Sequence, residues 1–168
     1  MKQRVQSVLF FLSALVFGLL FFMPLASYLD EYGTYLKLYV YGVHAVSVAP
    51  NVEVSFSPIY TLPLLILTVA VILVNFYISM SIFRAVKLPQ FVKLFKLSRI
   101  NIVLAAVLVA TIYVYYLFKT GAAIAVTPSF VWPAWGAFLT LVAFIMMLFA
   151  SSGLKKDIDK VRSVDRLR

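Results

Sequence analysis

Arg84-Ala-Val-Lys-Leu-Pro-Gln-Phe-Val-Lys-Leu-Phe-Lys-Leu-Ser-Arg99 carries five basic residues and no acidic one, and it separates two hydrophobic halves of the chain. Around it lie four uncharged runs, at about residues 5–26, 59–83, 100–118 and 130–154. A bilayer is crossed by roughly 20 apolar residues at helical rise, so each run is a candidate span. With 64% hydrophobic and 12% charged residues, the chain lies far from the composition of a soluble domain. Four spans in 168 residues leave no room for a separate catalytic domain. The expected fold is therefore an all-α membrane protein, a single four-transmembrane-helix bundle.

The net charge of +9 suggests nucleic acid until it is mapped. Lys2, Arg4, the five central basics, and Lys155, Lys156, Lys160, Arg162, Arg166 and Arg168 fall on one side of the spans; Lys37 and Lys119 fall on the other. This is the positive-inside bias, and it predicts cytoplasmic termini and a cytoplasmic central loop. No nucleic-acid partner is expected; membrane lipids are.

Lys2 and Arg4 before an apolar run resemble a signal peptide, and cleavage near Pro24-Leu-Ala-Ser27 is conceivable. The run is longer than a cleaved apolar region usually is, which favours an uncleaved first helix. Ala14 and Gly18 form a small-xxx-small pair, as do Ala106 and Ala110, and such pairs let helices approach closely. Tyr28 and Tyr32, then Tyr113, Tyr115 and Tyr116, fall where an outer aromatic belt belongs, with Trp132 and Trp135 anchoring the fourth span.

Between the first two spans the period changes. Tyr35, Lys37, Tyr39 and Tyr41 alternate with Leu36, Leu38 and Val40. After the turn signal Ala49-Pro50-Asn51, Val52, Val54 and Phe56 alternate with Glu53 and Ser55. A small extracytoplasmic β-hairpin is expected over residues 34–57. An isolated hairpin is marginal in water, so its apolar face should rest on the membrane, on the helices or on a partner. His44, the only histidine, lies there without the ligand set of a metal or haem site.

Pro63 suits the first turn of the second span. Asn75, Ser79 and Ser81 are polar within it. An amide at such depth usually bonds a neighbouring helix, and the competing role is contact with a ligand. In the central stretch Leu88, Phe91, Val92 and Phe95 interleave with Lys87, Lys93 and Lys96, the pattern of a short amphipathic helix in the inner interface over residues 87–99. The tail, residues 155–168, puts Leu154, Ile158 and Val161 on one helical face. Its basic residues alternate with Asp157, Asp159 and Asp165, which suits docking on its own bundle or on a protein better than simple lipid binding.

Three ordered matches point to a tandem duplication. Arg4-Val-Gln-Ser-Val-Leu9 aligns with Arg99-Ile-Asn-Ile-Val-Leu104, Ser57-Pro-Ile-Tyr-Thr-Leu-Pro63 with Thr127-Pro-Ser-Phe-Val-Trp-Pro133, and Val92-Lys93…Arg99 with Val161-Arg162…Arg168. The bundle is thus expected to consist of two tandem helical hairpins, related by an axis along the membrane normal.

No Asp, Glu, His, Lys or Arg lies within any expected span, which argues against a proton-coupled carrier or pump. There are no cysteines, no phosphate-binding glycine loop and no zinc motif. Ser7, Ser13 and Ser27 are assigned no histidine or carboxylate partner to act as a base, and Asp30-Glu31, the only adjacent carboxylate pair, reads as a solvated helix end. No cofactor is expected.

Gln3-Arg-Val-Gln-Ser-Val8 before an apolar run, together with Lys156-Asp157 and Val161-Arg-Ser-Val-Asp-Arg-Leu-Arg168 at the end, resembles a four-span membrane family common in Bacteroidota, domain of unknown function 4293. The resemblance covers essentially the whole chain and implies a bacterial inner (cytoplasmic) membrane location. It brings no catalytic or binding residues with it.

The expected function is non-enzymatic: an accessory or scaffold subunit of a larger inner-membrane assembly. Its docking segments are residues 35–56 outside and 155–168 inside, through Tyr35, Tyr39, Tyr41, Lys156, Asp157, Arg162, Asp165, Arg166 and Arg168. The alternative is a protein that binds or transports a lipid or small apolar molecule in a cleft between the two hairpins, with Asn75, Ala106 and Ala110 facing it.

Overall fold

The computed structural model describes residues 3–29, 33–47, 58–85, 88–116 and 130–165. Helix α1 runs over Gln3–Leu19, and three strands follow: β1 Ala26–Leu29, β2 Tyr35–Tyr39 and β3 Gly42–Ser47. A 3-10 turn at Pro58–Tyr60 leads into α2, Leu62–Arg84. Then come α3, Leu88–Ala110, a π-helical turn at Thr111–Tyr116, strand β4, Phe130–Pro133, and α4, Trp135–Asp165. α1 packs on α2 and α4, and α3 also packs on α2 and α4. The four strands form one antiparallel sheet in the order β3-β2-β1-β4.

The chain is therefore mostly helical rather than all-α, and the sheet is larger than a hairpin. Residues 20–26 do not continue the first helix. Its last turn tightens into bonds such as Leu20 N–H to Phe17 O and Phe22 N–H to Leu19 O, and Pro24 then forbids a helical predecessor. Tyr28, expected in an aromatic belt, is buried in β1 opposite Leu36 and Val131. Residues 130–133, expected to open the fourth span, are strand β4 instead. Pro133, which has no N–H to donate, closes this edge strand.

The alternation seen in β2 is real: Leu36 and Leu38 are buried, while Tyr35, Lys37 and Tyr39 share the other face. The partner strand differs from expectation. The chain turns at Val40-Tyr41, so β3 begins at Gly42, while residues 49–56, with their turn signal and Glu53, lie outside the described residues. Leu36, Leu38 and Val40 pack into one cluster with Leu64, Val71, Leu108 and Ile112. The sheet thus lies over one end of the helices.

α2, α3 and α4 are each long and apolar enough to cross a membrane; α1, at 17 residues and about 25 Å of helical rise, is shorter. Their packing differs from that of a soluble protein in its outer face and in its buried polar groups. Ser7, Ser13, Thr68, Asn75, Ser79, Ser98, Asn101 and Thr140 are fully buried, whereas Ile66, Leu73, Val103, Ile145 and Phe149 face outward. Outward apolar faces with buried small polar side chains are the arrangement that hydrocarbon surroundings favour.

Two amphipathic segments are not separate helices. Residues 88–99 form the first three turns of α3: Pro89 sits in its first turn, and no breaker stands between Ser98 and Ile100. Phe91 and Leu94 are buried against Ile78, Ile82 and Leu154 rather than laid on lipid. The tail likewise continues α4 without interruption to Asp165.

Of the proposed small-residue contacts only Ala14 is buried. A side chain at Gly18 would meet nothing within 4 Å. Ala106 and Ala110 are exposed, because the buried face of α3 runs through Asn101, Ala105 and Leu108. Close approach occurs at Gly136 and Gly153 instead.

Candidate functional site

Three places gather polar or aromatic side chains: the helix interior, the exposed face of the sheet, and the basic helix ends. Inside, one hydrogen-bond chain links all four helices. Asn101 Nδ2 on α3 donates to Asn75 Oδ1 on α2 at 2.9 Å. Asn75 Nδ2 lies 3.4 Å from Ser13 Oγ on α1 and 3.4 Å from Met147 Sδ on α4. Ser13 Oγ donates onward to the Ala143 carbonyl at 3.1 Å. Asn75 has no exposed surface, so the amide is enclosed by helix contacts instead of facing a cleft.

One turn nearer the basic end, α1 and α2 are clamped reciprocally. Ser7 Oγ donates to Ser79 O at 2.6 Å, and Ser79 Oγ donates to Ser7 O at 2.9 Å. Ser98 on α3 and Ser151 on α4 place their hydroxyls 3.0 Å apart. Ser7 and Ser13, considered above as nucleophiles, therefore have backbone carbonyls as acceptors. Since the chain has no cysteine of its own, a Ser7→Cys/Ser79→Cys variant tests this register. Mild oxidant is expected to cross-link it into a faster-migrating species, while a Ser7→Cys/Ser163→Cys pair, with Ser163 exposed and six residues beyond Asp157, stays open. Equal cross-linking of both pairs would overturn the α1–α2 packing.

At the basic end Gln6 Nε2 donates to Asp157 Oδ2 at 2.8 Å, and Leu154 and Ile158 are buried beside Phe10, Ile82 and Phe91. Asp157, expected to meet a partner, is thus tied to α1, and the tail docks first on its own helices. Lys156 and Arg162 remain exposed. Asp165 ends α4, and Arg166 and Arg168 lie outside the described residues, as do Asp30 and Glu31.

On the sheet, the residues expected to dock form aromatic contacts. Tyr35 stacks on Trp132 with ring centroids 6.0 Å apart. Tyr39 and Tyr41 stack at 5.5 Å, and the His44 ring stands edge-on to both. Lys37 Nζ lies 5.5 Å from the Tyr35 ring centroid. Backbone bonds extend the sheet and tie it to the start of α4: Leu25 N–H to Leu38 O, Ala134 N–H to Leu25 O, and Gly136 N–H to Pro24 O. Sequence alternation identified the β2 aromatics. The pairing that brings Trp132 to Tyr35 joins residues about a hundred positions apart and had no local signal.

Among the described residues no three His, Cys, Asp or Glu side chains gather as a metal site. Sequence reasoning missed Gln6 and Asn101, the amides that reach across helix boundaries. Their spacing signal was present, since they occupy the same position in the two aligned segments that begin at Arg4 and Arg99.

No curated protein and no solved structure matches the chain. The family model described as domain of unknown function 4293 matches residues 2–167, which takes in every described helix and strand. The protein belongs to the domain of unknown function 4293 family.

Proposed function

We propose that this protein is a non-enzymatic accessory subunit that docks on a larger assembly in a bacterial inner membrane. In this reading all four helices cross the bilayer as a bundle of two tandem hairpins, with both termini and the α2–α3 connection cytoplasmic. The mapped charge supports that orientation. The duplication draws support from Gln6 and Asn101: each is a buried amide that donates to the neighbouring helix of the other half.

One observation carries the docking role: a four-stranded sheet, tied through Pro24 to the start of α4, displays Tyr39, Tyr41 and His44 as an aromatic cluster. Tyrosines offer large contact area at low entropic cost and are enriched in protein interfaces. The exposed Lys156 and Arg162 supply a second contact on the cytoplasmic side. The lipid-cleft alternative has less to draw on, since Asn75 is enclosed and Ala106 and Ala110 point away from the helix interior.

The test is a mild-detergent purification of the native-level protein with mass spectrometry of everything that accompanies it. A stoichiometric membrane-protein partner is expected, and Tyr39→Ser/Tyr41→Ser should release it without changing helix content. A chain that purifies alone, or a partner indifferent to both tyrosines, would sink the reading.

A further inference from the structure

A groove of about 330 Å³ runs between α3 and α4, and its lining changes character along its length. Arg99 and Lys155 stand at one end, and Ile102, Val103 and Leu148 wall the other. No carboxylate lines it. Arg99 is the last charged residue of α3 before an uncharged stretch through residue 118, and Lys155 is the first charged residue after an uncharged stretch from residue 120. Both cations therefore sit where the charged helix ends meet the apolar region. Leu148 lies two turns from Lys155, about 10 Å along the helix, on the apolar side.

The Arg99 guanidinium carbon lies 5.0 Å from the Phe95 ring centroid. Stacking holds the planar group while leaving its N–H edge able to grip a phosphate bidentately. Lys155 adds a point charge from the facing helix. Topology alone requires basic residues at this level. It does not require two cations from different helices converging on one groove with an apolar wall below them. Val103 and Leu148 are exposed, so the groove opens to whatever surrounds the helices.

We propose that this groove is a binding site for an anionic phospholipid. The phosphate is held by Arg99 and Lys155, and an acyl chain lies along Ile102, Val103 and Leu148. This inference uses neither the aromatic sheet nor the docking reading and survives the failure of either.

The probe is phosphatidylglycerol. Full-length protein is reconstituted in phosphatidylethanolamine vesicles doped with phosphatidylglycerol, released in mild detergent, and weighed by native mass spectrometry. The intact chain is expected to retain phosphatidylglycerol in preference to phosphatidylethanolamine. R99Q/K155Q should reduce that retention by about tenfold or more, as the loss of charge-assisted hydrogen bonds implies. K93Q/K160Q removes the same charge from exposed positions of the same two helices outside the groove and should retain the lipid. V103W fills the apolar half without touching any charge and should expel the lipid even where R99Q/K155Q does not fold. Soluble glycerol phosphate should not displace it. Equal losses in the two charge variants, equal retention of both lipids, unchanged retention in V103W, or displacement by glycerol phosphate would each overturn the proposal.

Discussion

Gly136→Ala is expected to destabilise the protein by about 2–3 kcal/mol, the upper part of the range for overpacking a rigid contact. A β-carbon there would stand 2.5 Å from the Pro24 carbonyl oxygen and 3.1 Å from its carbonyl carbon. Neither atom can retreat. Pro24 sits between the end of α1 and the start of β1, and its carbonyl already accepts the Gly136 N–H at 2.9 Å. Alanine's better helix propensity returns at most about 1 kcal/mol. Gly153 is the internal comparison. A β-carbon there would meet Gln6 Cγ at 2.9 Å and Nε2 at 3.0 Å, atoms of a flexible side chain that can swing aside. Gly153→Ala should therefore cost about 1 kcal/mol or less, through a loosened Gln6–Asp157 bond. Unfolding of the purified full chain in mixed detergent measures both. Equal stability of Gly136→Ala and the parent would mean that α4 does not begin against the α1–β1 connection.

Asn75→Leu is the second large effect. The substitution leaves the Asn101 amide without its acceptor and removes the donor that faces Ser13 and Met147, all without exposed surface to water. Interhelical hydrogen bonds between membrane helices are individually modest, about 0.6–2 kcal/mol. Stranding a buried donor adds its own penalty, so a total of about 2–3 kcal/mol is expected. Asn101→Leu should cost less, because Asn101 Oδ1 has no hydrogen-bond partner among the described residues and loses nothing. In the double variant the 2.9 Å contact is already gone, so the combined loss should fall short of the sum by about 1 kcal/mol. Strict additivity would show that the two amides do not meet. The same experiment separates the structural role of Asn75 from a ligand role: a ligand contact would weaken binding without lowering unfolding resistance.

The sequence by itself determined that the chain carries helices of membrane length, and the inward-facing chemistry of individual stretches. Apolar runs bounded by charge announce membrane-length helices, because a bilayer tolerates only self-satisfied backbone over that length. The two-residue period of β2 placed Leu36 and Leu38 on one face, and the 3.6-residue period of the basic stretch placed Leu88, Phe91, Val92 and Phe95 on another, of which Phe91 is buried, with Leu94 in place of the others. Asn75 stood out as an interhelical contact because an amide in an apolar run needs a partner. Local patterning could do this because each signal is carried by neighbours on the same element.

Tertiary structure alone decided the rest. Pairing of Ala26–Leu29 with Phe130–Pro133 drew Ala26 and residues 130–133 out of the helices that hydropathy assigned them to, since hydropathy does not distinguish a buried strand from a buried helix end. Period told that the basic stretch had an apolar face but not what covered it; helix packing supplied the other helices in place of lipid. The small pairs at Ala14/Gly18 and Ala106/Ala110 matched a spacing, yet only the rotation of each helix determines which residues meet. That rotation put Gly136 and Gly153 at the contacts instead. The Asn101–Asn75–Ser13–Ala143 chain and the Arg99–Lys155 groove join residues from different helices. Neither exists until the helices pack, because a hydrogen bond of 3 Å is fixed by distance in space and not by distance along the chain.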